Sequence, residues 1–323
     1  MRVLRLVATL GLTFSALAAV PAVSAAAPPP GGERGGPNVL HRVVWDQYQK
    51  RGTHLWSANP DGSDARKIYT RARGFVAQIS LNRQGSEAAV APVVLSGTRA
   101  ALVVVDVLGR SAPRNLLVDH PEIYAVGGIG WSPNGRRLVF EGAVGEPSHG
   151  LTAHLFTVPR DGGAVQELCS LGPIEDRSAI GLHTSLAWTP AGIFHYDQHG
   201  LHRFRAGRDP VVLRGVIGEA VSGDGQWLYI ERRHGPEYAM WRMYPDGSRL
   251  ARLYALNYPG FGYVSAPDEG YTYYWHPSYD GAQMLSQLDG TDGALVLVHE
   301  ATRGPLETDP VLPFSSIGSI TWN

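Results

Sequence analysis

The 323-residue chain contains a single cysteine, Cys169, and this scarcity limits how the fold can be held together. One cysteine cannot form an intrachain disulfide, so stability has to come from packing. A lone cysteine within an apolar stretch is typical of a small buried core residue, and Cys169 is predicted to lie on a strand in that role.

The chain also has almost no excess of charge of either sign, since its formal net charge is -1. A nucleic-acid-binding face needs an excess of basic residues, so nucleic acid is not expected as a partner. The chain has no glycine-rich phosphate loop, dinucleotide fingerprint or EF-hand loop, and no cofactor is predicted. It also has no Gly-x-Ser-x-Gly nucleophile motif and no room for an α/β-hydrolase domain, which argues against a peptidase.

Long hydrophobic runs are confined to the N-terminus, where Arg2 and Arg5 precede the apolar run from Leu6 to Val20. A run of about 15 residues is short for a bilayer span but suits a signal peptide, and small residues around Ala25 offer a cleavage site. We therefore expect a signal peptide over 1–25, a flexible spacer over 26–38 and no membrane span after cleavage. The mature protein is predicted to be secreted, either extracellular or periplasmic, and monomeric.

What the sequence does contain is 39 glycines, 23 prolines and a repeated pair of hairpins. The first hairpin is clearest as "IGWSPNGRRLVFEG" (129–142), and the second as "MWRMYPDGSRLARLY" (240–254), with glycine or Asp-Gly at the bend. The two alternate with a period of about 40 to 50 residues, which is the spacing of a four-stranded propeller blade.

The chain ends indicate how the array is completed. Six copies of the second hairpin are present, but only five copies of the first precede one, and "IGSITWN" (317–323) resembles the missing strand. We therefore predict that the C-terminal strand pairs in the first blade and closes a ring, which removes open sheet edges. In the repeat, Trp131 is expected to pack between blades, while Pro133 and Gly135 fix the turn.

The hairpin pair, closest over 129–162 and 239–254, resembles the repeats of TolB-like six-bladed β-propellers, a fold also found as the non-catalytic domain of prolyl-oligopeptidase-like peptidases. The resemblance implies an all-β fold over 39–323, with six four-stranded antiparallel blades. It implies fold more strongly than function, because this scaffold carries many roles.

Ligand-binding residues are expected on the face opposite the repeated turns, where loops join the second and third strands and successive blades. That face is predicted to be rich in histidine, acidic and aromatic side chains. The candidate ligand-binding residues are Asp46, Tyr48, His120, His149, His199, His234, Tyr238, Tyr258, His276 and Tyr279.

A metal site is considered on two grounds. The segment "HYDQHGLH" places His195, Asp197, His199 and His202 on or beside one hairpin, but its spacing matches no established zinc motif. Histidines from several blades also converge on the channel mouth in some secreted propellers that act as lyases on acidic sugars. No catalytic or metal-binding residue is assigned on either ground.

Two functions follow from these patterns. The first is a secreted, non-catalytic propeller that binds a protein or a cell-envelope ligand through its loop face. The alternative is a metal-assisted lyase or hydrolase acting on polysaccharide or lactone at the channel mouth.

Overall fold

The computed structural model of the protein describes residues 40–49, 52–71, 76–92, 100–146, 150–174, 186–234, 237–256, 272–290, 293–303 and 317–322. All regular secondary structure in these ranges is β-strand, so they include no helix that could cross a membrane. The strands of the first half are β1 (Val43–Gln49), β2 (Gly52–Ala58), β3 (Arg66–Arg71), β4 (Val76–Leu81), β5 (Glu87–Pro92), β6 (Val103–Asp106), β7 (Arg114–Asn115), β8 (Ile123–Trp131), β9 (Arg137–Glu146), β10 (Gly150–Pro159) and β11 (Gln166–Pro173). Those of the second half are β12 (Ala187–Thr189), β13 (Gly192–Asp197), β14 (Gly200–Phe204), β15 (Val211–Leu213), β16 (Val216–Val221), β17 (Leu228–His234), β18 (Glu237–Met243), β19 (Ala251–Leu256), β20 (Thr272–Pro277), β21 (Gln283–Gly290), β22 (Gly293–Glu300) and β23 (Ile317–Trp322).

Within the described ranges these strands form six antiparallel sheets, five of four strands and one of three. Sheet 1 has the order β23-β1-β2-β3, and sheets 2 to 5 contain β4–β7, β8–β11, β12–β15 and β16–β19 in chain order. Sheet 6 contains β20–β22. The prediction of an all-β fold built from four-stranded antiparallel sheets is confirmed.

The first strand of each sheet contacts the first strand of the next. We call β23, β4, β8, β12, β16 and β20 the lead strands. They contact one another in that order, and β20 in turn contacts β23. The C-terminal strand β23 pairs with β1, with Val43 opposite Trp322 and Trp45 opposite Ile320.

The cores lie between consecutive sheets, because each strand alternates side chains between the two neighbouring sheets. Phe140 of sheet 3 packs towards sheet 2 with Leu102, whereas Val139 packs towards sheet 4 with Ile193. Trp131 lies between sheets 2 and 3, as predicted, and its indole Nε1 donates a hydrogen bond to the Ser80 carbonyl of β4 at 2.9 Å.

The turns between lead and second strands are built alike. In the β8–β9 turn the Ser132 hydroxyl accepts from the Arg137 N–H at 2.9 Å, and Gly135 takes a φ of +65°. Gly225 and Gly281 have similar angles in the β16–β17 and β20–β21 turns. Positive φ carries no steric cost in glycine, which explains why the repeat contains it here.

These turns lie on one side of the sheets, which we call the turn face. The Asp224 N–H donates to the Tyr279 carbonyl at 2.8 Å, which joins the turns of sheets 5 and 6. The opposite side, the loop face, holds the connections between second and third strands and between sheets. There the Arg233 N–H at the end of β17 donates to the Gly215 carbonyl of the β15–β16 connection at 2.8 Å.

Candidate functional site

The structure divides the sequence-predicted ligand residues among several locations. Asp46 lies within β1 and is 2% exposed, so it is a buried strand residue. Tyr48, His234 and His276 also lie in strands, and their side chains are outside the described part of the structure, as are His149 and Tyr258 altogether. The five candidates whose side chains are described, Asp46, His120, His199, Tyr238 and Tyr279, lie in different sheets or connections.

Tyr279 was expected on the loop face, but it lies in the β20–β21 turn on the turn face and is 7% exposed. Its hydroxyl accepts a hydrogen bond of 3.3 Å from Arg83 Nε in the β4–β5 turn. The reason is that "HPSYDGAQ" is the sheet 6 copy of the repeated turn, so its residues follow the turns and not the loops. Tyr279 links sheet 6 to sheet 2 across sheet 1.

Two of the predicted ligand residues, His120 and Tyr238, lie at the loop face and have side chains that contact neighbouring residues. His120 precedes β8, and its Nδ1 lies 2.9 Å from Glu122 Oε1. A hydrogen bond from the Glu122 backbone and one from His120 lower the pKa of the Glu122 carboxyl. Tyr238 is the second residue of β18 and lies opposite Arg233, whose guanidinium is 5.7 Å from the centre of the tyrosine ring.

Sequence reasoning missed two buried carboxylates that repeat the position of Asp46. Asp46, Glu141 and Glu231 each lie on the second strand of a sheet, in sheets 1, 3 and 5, and are at most 2% exposed. Their cross-strand partners are Leu55, Leu155 and Met240. The signal was available in the repeat, because each follows the apolar start of the same strand at the same spacing.

Among the described residues, potential metal ligands come together where the segment "HYDQHGLH" meets a later aspartate. His195 on β13 and His202 on β14 are cross-strand partners, and their rings stack with centroids 4.9 Å apart. His195 is 2% exposed. The hairpin therefore places two imidazoles side by side on the face of sheet 4 that packs against sheet 3.

Asp209, which precedes β15, completes this group. His195 Nε2 lies 3.0 Å from both Asp209 carboxylate oxygens. His202 Nδ1 lies 3.4 Å from Asp209 Oδ2. One ligand atom from each of the three residues lies within 4.8 Å of the others, a donor set of two nitrogens and one oxygen.

Asp197 orients His202 from the other side of the ring. Its Oδ1 lies 3.1 Å from His202 Nε2 and accepts the backbone N–H of His199 at 2.7 Å. Partial burial raises the pKa of Asp197, but the His199 N–H and the nearby His202 outweigh it, so the pKa is lowered overall. His199 itself is exposed and contributes its backbone.

The sheets and the contacts among their lead strands are those of a β-propeller-type protein, and solved structures support this class. The crystal structure of TolB from Acinetobacter baumannii has a TM-score of 0.63 at 12% identity, over 88% of this chain and 67% of that one. Oligogalacturonate lyase in complex with manganese has a TM-score of 0.53 at 12% identity, over 82% of this chain and 75% of that one. At such identities the likeness is one of fold. No protein-family model and no curated protein matches this sequence.

Proposed function

We propose that this protein is a secreted, non-catalytic six-bladed propeller that binds a protein or a cell-envelope ligand through its loop face. The cyclic contacts of the lead strands and the pairing of β23 with β1 support a closed ring of six blades. The signal-peptide pattern of residues 1–25 supports export to the periplasm or the medium.

The observation that carries the binding role is a set of arginine–aromatic pairs on sheet 5. Arg233 lies over Tyr238, and Arg232 lies 5.6 Å from the ring centre of Trp241. Arg233 is exposed, and Tyr238 and Trp241 are half-buried. Arginine, tyrosine and tryptophan are the residues that most often dominate binding energy at protein interfaces.

The test captures partners with the mature protein from envelope extract and from culture supernatant. We expect a reproducible partner whose affinity falls about 10- to 100-fold in the double variant Arg233→Ala, Tyr238→Ala, the range typical of interface anchors. The matched control is Arg136→Ala, an exposed arginine in the β8–β9 turn on the turn face, which should bind as the parent does.

Two results would count against this function. Equal loss of binding in the Arg136→Ala control would move the interface to the turn face. Turnover of a polysaccharide or lactone, with no partner captured, would support the alternative of a metal-assisted lyase or hydrolase.

A further inference from the structure

We propose that His195, His202 and Asp209 form a binding site for a divalent transition metal of the zinc type, set between sheets 3 and 4. The site is separate from the arginine–aromatic pairs of sheet 5. It unites residues from β13, from β14 and from the connection to β15.

The first argument comes from the repeat. The cross-strand position held by His195 and His202 in sheet 4 is held in sheet 3 by Phe140 and Phe156, whose rings stack at 5.4 Å. In sheet 1 the same position holds Trp45 and Trp56, stacked at 6.4 Å. Two apolar rings therefore satisfy the packing, and imidazoles are not required by the fold.

The second argument is the placement of protons. Both ring nitrogens of His202 face oxygen atoms: Nε2 faces Asp197, while Nδ1 faces the Asp209 carboxylate and, at 3.2 Å, the Asp209 carbonyl. A neutral imidazole carries one N–H, so one lone pair would point at an oxygen.

A metal ion would satisfy both nitrogens of His202 while both imidazoles stay neutral. Bound by His202 Nδ1, His195 Nε2 and an Asp209 oxygen, it accepts the lone pairs and leaves His202 Nε2–H to donate to Asp197. A carboxylate on the far nitrogen of a histidine is the usual outer partner of a metal-bound imidazole.

The donor set selects the ion. Two imidazoles and one carboxylate suit zinc and other first-row transition metals, whereas magnesium and calcium prefer oxygen donors. The Asp209 side chain is 25% exposed, so the site opens to solvent on one side, where water can supply a fourth ligand.

The experiment is zinc titration of the chelator-treated mature protein by calorimetry and thermal melting. We expect one tight zinc ion per chain and a higher melting temperature with zinc. The variant His195→Phe, His202→Phe, which copies the ring pair of sheet 3, should fold and lose both effects. Asp197→Asn should weaken zinc binding about 10- to 100-fold. His199→Ala, which changes the exposed histidine of the same hairpin, should bind zinc as the parent does.

Three outcomes would overturn the site. They are no zinc binding by the parent protein, undiminished binding by the double phenylalanine variant, and loss of binding in His199→Ala. If the double variant does not fold, Asp209→Asn decides, since retention of full zinc affinity without that carboxylate also contradicts the proposal. Because the readout is metal binding, failure here leaves the partner-binding function of sheet 5 intact.

Discussion

Sheets 3 and 4 place different side chains at the same structural position. Phe140 and Phe156 stack across β9 and β10, and His195 and His202 stack across β13 and β14 with the same 22° angle between ring planes. Both first members, Phe140 and His195, are almost fully buried. The backbone and the stacking geometry are shared, so the difference is chemical.

The comparison separates the packing that the fold requires from the polar chemistry that sheet 4 has in addition. In sheet 3 the ring pair contributes apolar burial and dispersion alone. In sheet 4 the rings bring polar nitrogens into the same kind of space, and Asp197 and Asp209 are needed to satisfy them. A repeat position that is apolar in one sheet and hydrogen-bonded in the next is therefore where function is best sought.

The largest effect is expected from removing a ring of sheet 3. Phe140 is 0% exposed, so Phe140→Ala leaves a cavity and should lower the free energy of unfolding by about 3 to 5 kcal/mol. Urea denaturation of the mature protein followed by tryptophan fluorescence measures this. A loss below about 1.5 kcal/mol would show that the ring pair is not a packing unit.

A smaller effect of opposite sign is expected when sheet 4 is made to resemble sheet 3. Without metal, the variant His195→Phe, His202→Phe, Asp197→Asn, Asp209→Asn, which removes the two carboxylates together with their imidazole partners, should be as stable as the parent or more stable by about 1 to 2 kcal/mol. The reason is that apolar replacement of a buried polar network is often neutral or stabilising. Urea denaturation in the presence of a chelator checks it, and a marked loss of stability would mean that these polar residues themselves hold the sheet.

The strand position just before His195 can also be compared between sheets 4 and 5. Phe194 of sheet 4 corresponds there to Tyr229, whose hydroxyl donates to the Gly281 carbonyl at 2.5 Å. Tyr229→Phe should cost about 1 to 1.5 kcal/mol of stability, the value of one buried hydrogen bond.

The pH dependence of Tyr229 follows from its burial, which raises its pKa from 10.0 to about 12. Because the folded state favours the neutral phenol, Tyr229 makes its full contribution to folding stability below about pH 10. That contribution is lost as the pH rises through about 12. Ultraviolet titration should find a late-ionising tyrosine that is missing from the variant Tyr229→Phe, which assigns it to Tyr229. Normal ionisation of every tyrosine would contradict the burial.

The sequence predicted those parts of the molecule that repeat. The period, the glycine turns and the contact of Trp131 between sheets follow from local chemistry that recurs along the chain. Asp209 was not predicted because it lies in the β14–β15 turn, the sheet 4 copy of the second hairpin, and the sequence does not show that this turn folds back against His195. Asp46 and Tyr279 were placed in loops because hydrophobic alternation does not show that a charged residue continues a strand, or that an aromatic one belongs to a turn.

The last prediction concerns the reactivity of Cys169. This residue lies on β11 of sheet 3 and packs into the core between sheets 3 and 4. The thiol is half-buried, and burial together with the negative charges of Asp209 and Glu167 raises its pKa from 9.0 to about 11. At pH 8 the thiolate is then about a hundredfold scarcer than in an unperturbed thiol.

Alkylation by iodoacetamide at pH 8 should therefore be about a hundredfold slower in the folded protein than in urea, and its rate should keep rising with pH towards about 11. Equal rates in the two states would show that the sheet 3–sheet 4 boundary is open at this point. The ligand atoms that lie within 4.8 Å of one another belong to His195, His202 and Asp209 and not to Cys169, so Cys169→Ala should leave zinc binding unchanged.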